Sequence, residues 1–134
     1  MAEVEYMHVC DYAFNAEGNK PSMIGVFDRI SAGAFPTHHP YMAVAIQFRG
    51  QQHEMIPVKV ELGRPNGEVL AKVESQVVAG PEGGAFLVLN MVAVQFPEPG
   101  RYTVRVSSAG LTLATHSVRV QKIQAQQAPQ APVH

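Results

Sequence analysis

VKVELGRPNG, residues Val58 to Gly67, sets apolar and charged side chains in alternation and then turns. A two-residue period puts Val58, Val60 and Leu62 on one side of an extended chain and Lys59 and Glu61 on the other, the pattern of a strand with one buried face. Asn66-Gly67 follows, a pair that tolerates the positive φ a tight hairpin turn demands. Beyond the turn the alternation resumes over Glu68–Val78, with Val69, Ala71 and Val73 on one face and Lys72 and Glu74 on the other.

The same rhythm extends in both directions. Upstream, strands are expected over Glu3–Phe14, Ser22–Ile30 and Tyr41–Arg49, where a buried face of Met42, Val44, Ile46 and Phe48 opposes the lighter, more polar Ala43, Ala45, Gln47 and Arg49. Downstream they are expected over Ala85–Phe96, Arg101–Ser107 and Leu111–Lys122, the last two joined through Ser108-Ala109-Gly110. Eleven glycines and ten prolines cut the chain into short pieces, and no window carries a capped helical period. About eight strands separated by turns predict an all-β domain over residues 1–123, an antiparallel sandwich with a β-barrel as the alternative. Gln124–His134, rich in Gln, Ala and Pro with almost nothing to bury, is expected to be a disordered tail.

A chain of 134 residues is the size of one domain with a real core. Its 46% hydrophobic and 16% charged content excludes intrinsic disorder over most of its length. A formal charge of -1 supplies no overall field toward phosphate backbones or anionic lipid, so neither nucleic acid nor membrane is expected as a partner. The acidic start, Met1 to Glu5, leads into no apolar stretch, and the longest uncharged apolar run, Ala85–Pro97, falls short of the roughly 20 residues of a spanning helix. The single cysteine, Cys10, agrees with a reducing compartment, so a cytoplasmic location is expected.

PEPGRYTVRV, Pro97 to Val106, resembles the approach to the penultimate strand of many immunoglobulin-like sandwiches. The resemblance implies a tyrosine corner in which the ring of Tyr102 enters the core and its hydroxyl bonds nearby backbone. CDYA (Cys10–Ala13), SMIGVFDRI (Ser22–Ile30), FPTHHP (Phe35–Pro40) and FPEPGRY (Phe96–Tyr102) together resemble a family of small bacterial proteins without an established activity. That likeness covers nearly the whole chain apart from the tail; it implies the sandwich and adds no catalytic residue.

Two of the six histidines, His38 and His39, lie between Pro36 and Pro40. With His8, Cys10, Asp11 and His53 they are the candidates for a metal site, yet the paired ligand spacings of structural zinc sites are missing. No metal or other cofactor is expected. Pro36 and Pro40 cannot donate ladder hydrogen bonds, so FPTHHP reads as an extended connector anchored by Phe35, with the histidines at a loop surface open to a partner. Cys10 has an acidic neighbour, Asp11, which disfavours the thiolate, and reads as a small core filler. Neither a nucleophile elbow nor a phosphate-cradling glycine motif occurs, so no catalytic residue and no enzyme activity are expected.

Ile24, Val26, Asp28 and Ile30 should share one face of the second strand, placing the Asp28 carboxylate among aliphatic chains. There it would need an ion-pair or backbone N–H partner. AFLVLNMVAVQF, residues 85–96, is apolar on both faces apart from Asn90, where an ordinary sandwich strand is apolar on one. A bulge that switches faces, cover from the first segment, or docking of a partner on Phe86, Val88, Val92 and Val94 would each account for it. Arg101, Arg105, Arg119 and Lys122 read as a solvated basic face, with an acidic partner as the functional alternative. The expected role is a non-enzymatic interaction or structural module, self-associating or docking a protein partner. The alternative is a metal- or small-ligand-binding domain using the histidine-rich loop and the first strand.

Overall fold

The computed structural model describes residues 2–18 and 20–123. Among these, nine strands and no helix occur: β1 (Glu3–Ala16), β2 (Lys20–Val26), β3 (Arg29–Ala32), β4 (Thr37–Arg49), β5 (Met55–Gly63), β6 (Val69–Val78), β7 (Gly84–Phe96), β8 (Gly100–Ser108) and β9 (Leu111–Lys122). They form a four-stranded sheet ordered β2-β1-β4-β7 and a five-stranded sheet ordered β3-β9-β8-β5-β6. The architecture is an all-β, immunoglobulin-like sandwich rather than a barrel. Residues 124–134, expected to be a tail, lie outside the described residues.

The Asn66-Gly67 signal does what its chemistry demands. The Asn66 side chain accepts a hydrogen bond from the Glu68 amide at 2.9 Å, Gly67 takes a φ of 94°, and Val60 of β5 sits opposite Val73 of β6. Between the sheets, Met42, Val44, Ile46 and Phe48 of β4 pack with Ile56, Val58, Val60 and Leu62 of β5 and with Val104, Val106, Val118 and Val120 of β8 and β9. At one end of this core Phe96 and Tyr102 meet edge to face, ring centres 4.9 Å apart. The Tyr102 hydroxyl donates to the Glu98 carbonyl at 2.7 Å and accepts from the Glu98 amide at 3.3 Å, so a fully buried ring keeps its polar tip satisfied.

The expected second strand is two strands in two different sheets. Gly25, at φ 71° and packed against the Asp11 carboxylate, breaks the alternation, after which the chain leaves β1 and crosses over. The Phe27 amide still bonds the Val9 carbonyl of β1, whereas the Asp28 carbonyl accepts from the Arg119 amide of β9, each at 2.9 Å. The next four residues pair with β9 in parallel, an exception to the expected antiparallel pattern. Ile24, Val26, Asp28 and Ile30 therefore share no face. Asp28 is exposed at the crossing and no buried carboxylate arises.

Two further corrections concern β4 and β7. Pro36, Pro40 and the histidines do not make one long connector, because β4 begins at Thr37 and Pro40 lies inside it. Residue by residue β4 and β7 stay in one register, from Thr37 opposite Phe96 to Arg49 opposite Gly84, yet Pro40 and Ala93 form no pair. Proline has no amide to give the ladder, and Ala93 adopts φ 55°, a left-handed conformation in a residue other than glycine. Side chains change face there: Leu89 and Met91 point into the core before it, Val94 and Phe96 after it.

Candidate functional site

The outer face of the four-stranded sheet is built from the residues that the core does not claim. Cross-strand rows follow from the register: Val26, Cys10, Ala43 and Asn90 in one, His8, Ala45 and Val88 in the next, Tyr6, Gln47 and Phe86 beyond. Cys10, Ala43 and Ala45 form a fully buried floor on this face, with Phe86 and Val88 lying over it. Of the face expected to be lighter and more polar, Ala43 and Ala45 are thus covered by neighbouring apolar side chains, while Gln47 is half-buried and Arg49 is exposed and paired with Glu5 at 2.9 Å. Alongside, Tyr41 and Val92, a register pair, stay 52% and 69% exposed, and Val26 is 55% exposed. Phe86, Val88 and Val92 belong to this outer surface. Val94 does not, because the reversal at Ala93 turns it toward the core.

Among the described residues β7 is also a free edge, the last strand of its sheet. Across thirteen residues it carries neither a charge nor a proline. The other edge strands are blunted: β2 by Lys20 and Pro21, β6 by Lys72 and Glu74, and β3 by its length of four residues. Between the C-terminal half of β7 and β6, the edges of the two sheets splay into a cleft of about 610 Å³ lined chiefly by Pro36, Leu70, Ala71, Val73, Met91 and Val94. Sequence alone assigns Ala71 and Val73 to a core face, and nothing in their alternation says that the core opens beside them.

The histidines and Cys10 disperse. His38 is exposed opposite Gln95, while the His39 ring sits 5.0 Å from Phe27 with Nε2 3.5 Å from Asp11 Oδ1. His8 packs against Tyr6 with ring centres 5.5 Å apart, and His53 stands in the turn before β5. Among the described residues no three His, Cys, Asp or Glu side chains gather as metal ligands would. Burial and then the Asp11 charge push the Cys10 thiol above its usual range, which leaves it a poor nucleophile.

His116 was not singled out by any sequence motif. It lies on the inner face of β9 opposite the buried Val104, and its Nε2 is buried without a partner among the described residues. Burial, followed by the nearby His8, holds it below the ordinary histidine value, with Asp28 opposing in part. The unfolded chain therefore takes up the proton first, so the contribution of neutral His116 to stability is complete above about pH 6.5 and is lost as pH falls below that value. Acid titration of the denaturation midpoint should show this decline, and His116→Leu should flatten it; an unchanged acid limb in the variant would place the effect elsewhere.

No curated protein matches the chain. Among solved structures, an alkylpurine DNA glycosylase from Pseudomonas fluorescens aligns with a TM-score of 0.54 at 11% identity, over 90% of this chain and 30% of that one. A β-glucosidase from Listeria innocua aligns at TM-score 0.50 and 13% identity, over 92% of this chain and 17% of that one. An immunoglobulin-like protein from Pseudomonas aeruginosa aligns at TM-score 0.49 and 16% identity, over 90% of this chain and 96% of that one. The chain thus spans under a third of the glycosylase and under a fifth of the glucosidase, and at these identities the likeness concerns the sandwich alone. Residues 5–121 match the model of a family of unknown function, DUF6941, and the chain belongs to that family.

Proposed function

We propose that the protein is a non-enzymatic interaction module, working in the cytoplasm, that docks a second copy of itself or another protein through the outer face of the four-stranded sheet and the free edge of β7. The observation that carries the reading is the uncharged, proline-free edge of β7, continuous with the exposed Tyr41 and Val92. An edge of that kind offers a row of backbone donors and acceptors to another strand, and soluble proteins ordinarily blunt or cover it. Side chains flanking it supply apolar area, and Asn90 in the middle supplies an amide that can both donate and accept.

A photoreactive residue placed at Val92 in the full-length chain tests this in cells, with the same residue at Thr112, an exposed position of β9, as control. The expected result is a discrete adduct from position 92 and none from position 112. An adduct at twice the chain's mass means self-association, and one with a different protein means a separate partner. Absence of any adduct from position 92 would overturn the reading.

A further inference from the structure

Three arginines stand side by side on the outer face of the other sheet. Arg119 of β9 is the register partner of Arg29 across the parallel pairing with β3, and of Arg101 across the antiparallel pairing with β8. Their chain neighbours Ile30, Tyr102, Val118 and Val120 fill the core, so all three guanidinium groups leave on the solvent side, where the residues are exposed. Like charges directly opposite on adjacent strands repel, because their Cβ atoms lie only about 4.5–5.5 Å apart. Among the described residues the ion pairs formed involve none of the three. With a formal charge of -1 over the whole chain, this row is a local concentration and no spill-over of a basic protein.

The row edges a hollow of about 150 Å³ whose lining is Asp28, Arg29, Arg101, Ser117 and Arg119. Three guanidinium groups against one carboxylate leave a net charge of +2 there. A phosphoryl group carries about two negative charges near neutral pH and offers three acceptor oxygens. Guanidinium forks match those oxygens bidentately, and three forks converging from neighbouring strands can each take a different oxygen, which a planar carboxylate cannot provide. We propose that this row is a phosphoryl-binding site, with Arg119 at its centre, Arg29 and Arg101 on its flanks and the Ser117 hydroxyl as a neutral donor.

The test uses the full chain at low ionic strength, titrated with inorganic tripolyphosphate and followed by the amide resonances of Arg101, Ser117 and Arg119 and by the melting temperature. Binding is expected to perturb those amides, raise the melting temperature and weaken as salt is added. R119Q should weaken it by about tenfold or more, and R119K should fail to restore it, since the point charge lacks the fork. Arg105→Gln, on the same face opposite Thr115, should bind as the wild type does. Without ligand, R119Q should melt no lower than the wild type, because it relieves the repulsion; should it misfold, R29Q and R101Q carry the same test. Vesicles of phosphatidylcholine with and without phosphatidic acid then separate a lipid-borne phosphoryl group from a free one, and either source supports the site if R119Q abolishes binding. No tripolyphosphate binding by the wild type, equal loss in R105Q, or undiminished binding by R119Q would overturn the proposal. The row lies on the sheet opposite the docking face, so that outcome leaves the protein-docking reading intact.

Discussion

Phe96→Ala should lower the unfolding free energy by about 3–5 kcal/mol, seen as a lower denaturant midpoint with an unchanged slope. Phe96 is fully buried and meets Tyr102 edge to face at an interplanar angle of 88°. Truncation removes the transfer energy of the ring and opens a cavity beside it. Tyr102 cannot swing in to fill that cavity, because its hydroxyl is tied to the Glu98 backbone on both sides. Sites that cannot collapse fall toward the upper part of the range. The loss should also loosen the C-terminal part of β7, because Phe96 is the fully buried anchor of this strand after the reversal at Ala93, where Val94 is only partly buried. Val92→Ala, four residues earlier and largely exposed, should stay within about 0.5 kcal/mol of the wild type. A loss below about 1 kcal/mol for Phe96→Ala would mean that the ring does not hold this end of the sandwich.

Gly83→Ala is the second large effect, expected at about 2–3 kcal/mol by the same measurement. Gly83 lies just before β7, in the turn that carries the chain from the edge of one sheet to the edge of the other, and adopts φ 88°. A Cβ there meets the carbonyl oxygen of Gly50. That oxygen cannot retreat without cost, because the Gly50 amide donates to the Gly83 carbonyl at 2.8 Å and fixes the two backbones together. The turn is knitted further by the Gly83 amide on the Gly80 carbonyl at 3.0 Å and the Gly80 amide on the Gly84 carbonyl at 2.8 Å. Gly33→Ala, whose Cβ meets nothing within 4 Å among the described residues, is the contrast and should be neutral or slightly stabilising. Equal effects at the two positions would refute the close approach of Gly50 and Gly83 as the cause.

How far the chain could be read without its tertiary structure depends on the range over which each signal acts. The β5–β6 hairpin was legible because its information is local: alternation chooses the faces, and Asn66-Gly67 chooses the turn. The reading of β7 was half right. Its two apolar faces are visible in the sequence, but whether they mean a reversal, cover from the first segment or a partner is not, since the reversal occurs where Pro40 of β4 lies opposite Ala93. Ser22–Ile30 misled for a related reason. An apolar run with good alternation looks like one strand, and only competition between β1 and β9 for its backbone decides that the chain crosses over at Phe27-Asp28.

The basic face shows the same division. Arg101 and Arg119 sit on the outer face of their hairpin, as the alternation says, whereas Lys122 is out of phase with Arg119 by an odd number of residues and shares no row with it. Arg29, distant in sequence, takes the place beside Arg119. By itself the amino-acid sequence determined an all-β chain of short strands and tight turns, because strand period and turn residues are properties of short segments; the corner at Tyr102 was what the resemblance implied, and the choice of sandwich over barrel came from the two sheets themselves. Only the tertiary structure decided which edge stays bare and which arginines become neighbours. Those depend on the order of strands in each sheet, and that order is settled by burial summed over the whole core, a quantity no single segment contains.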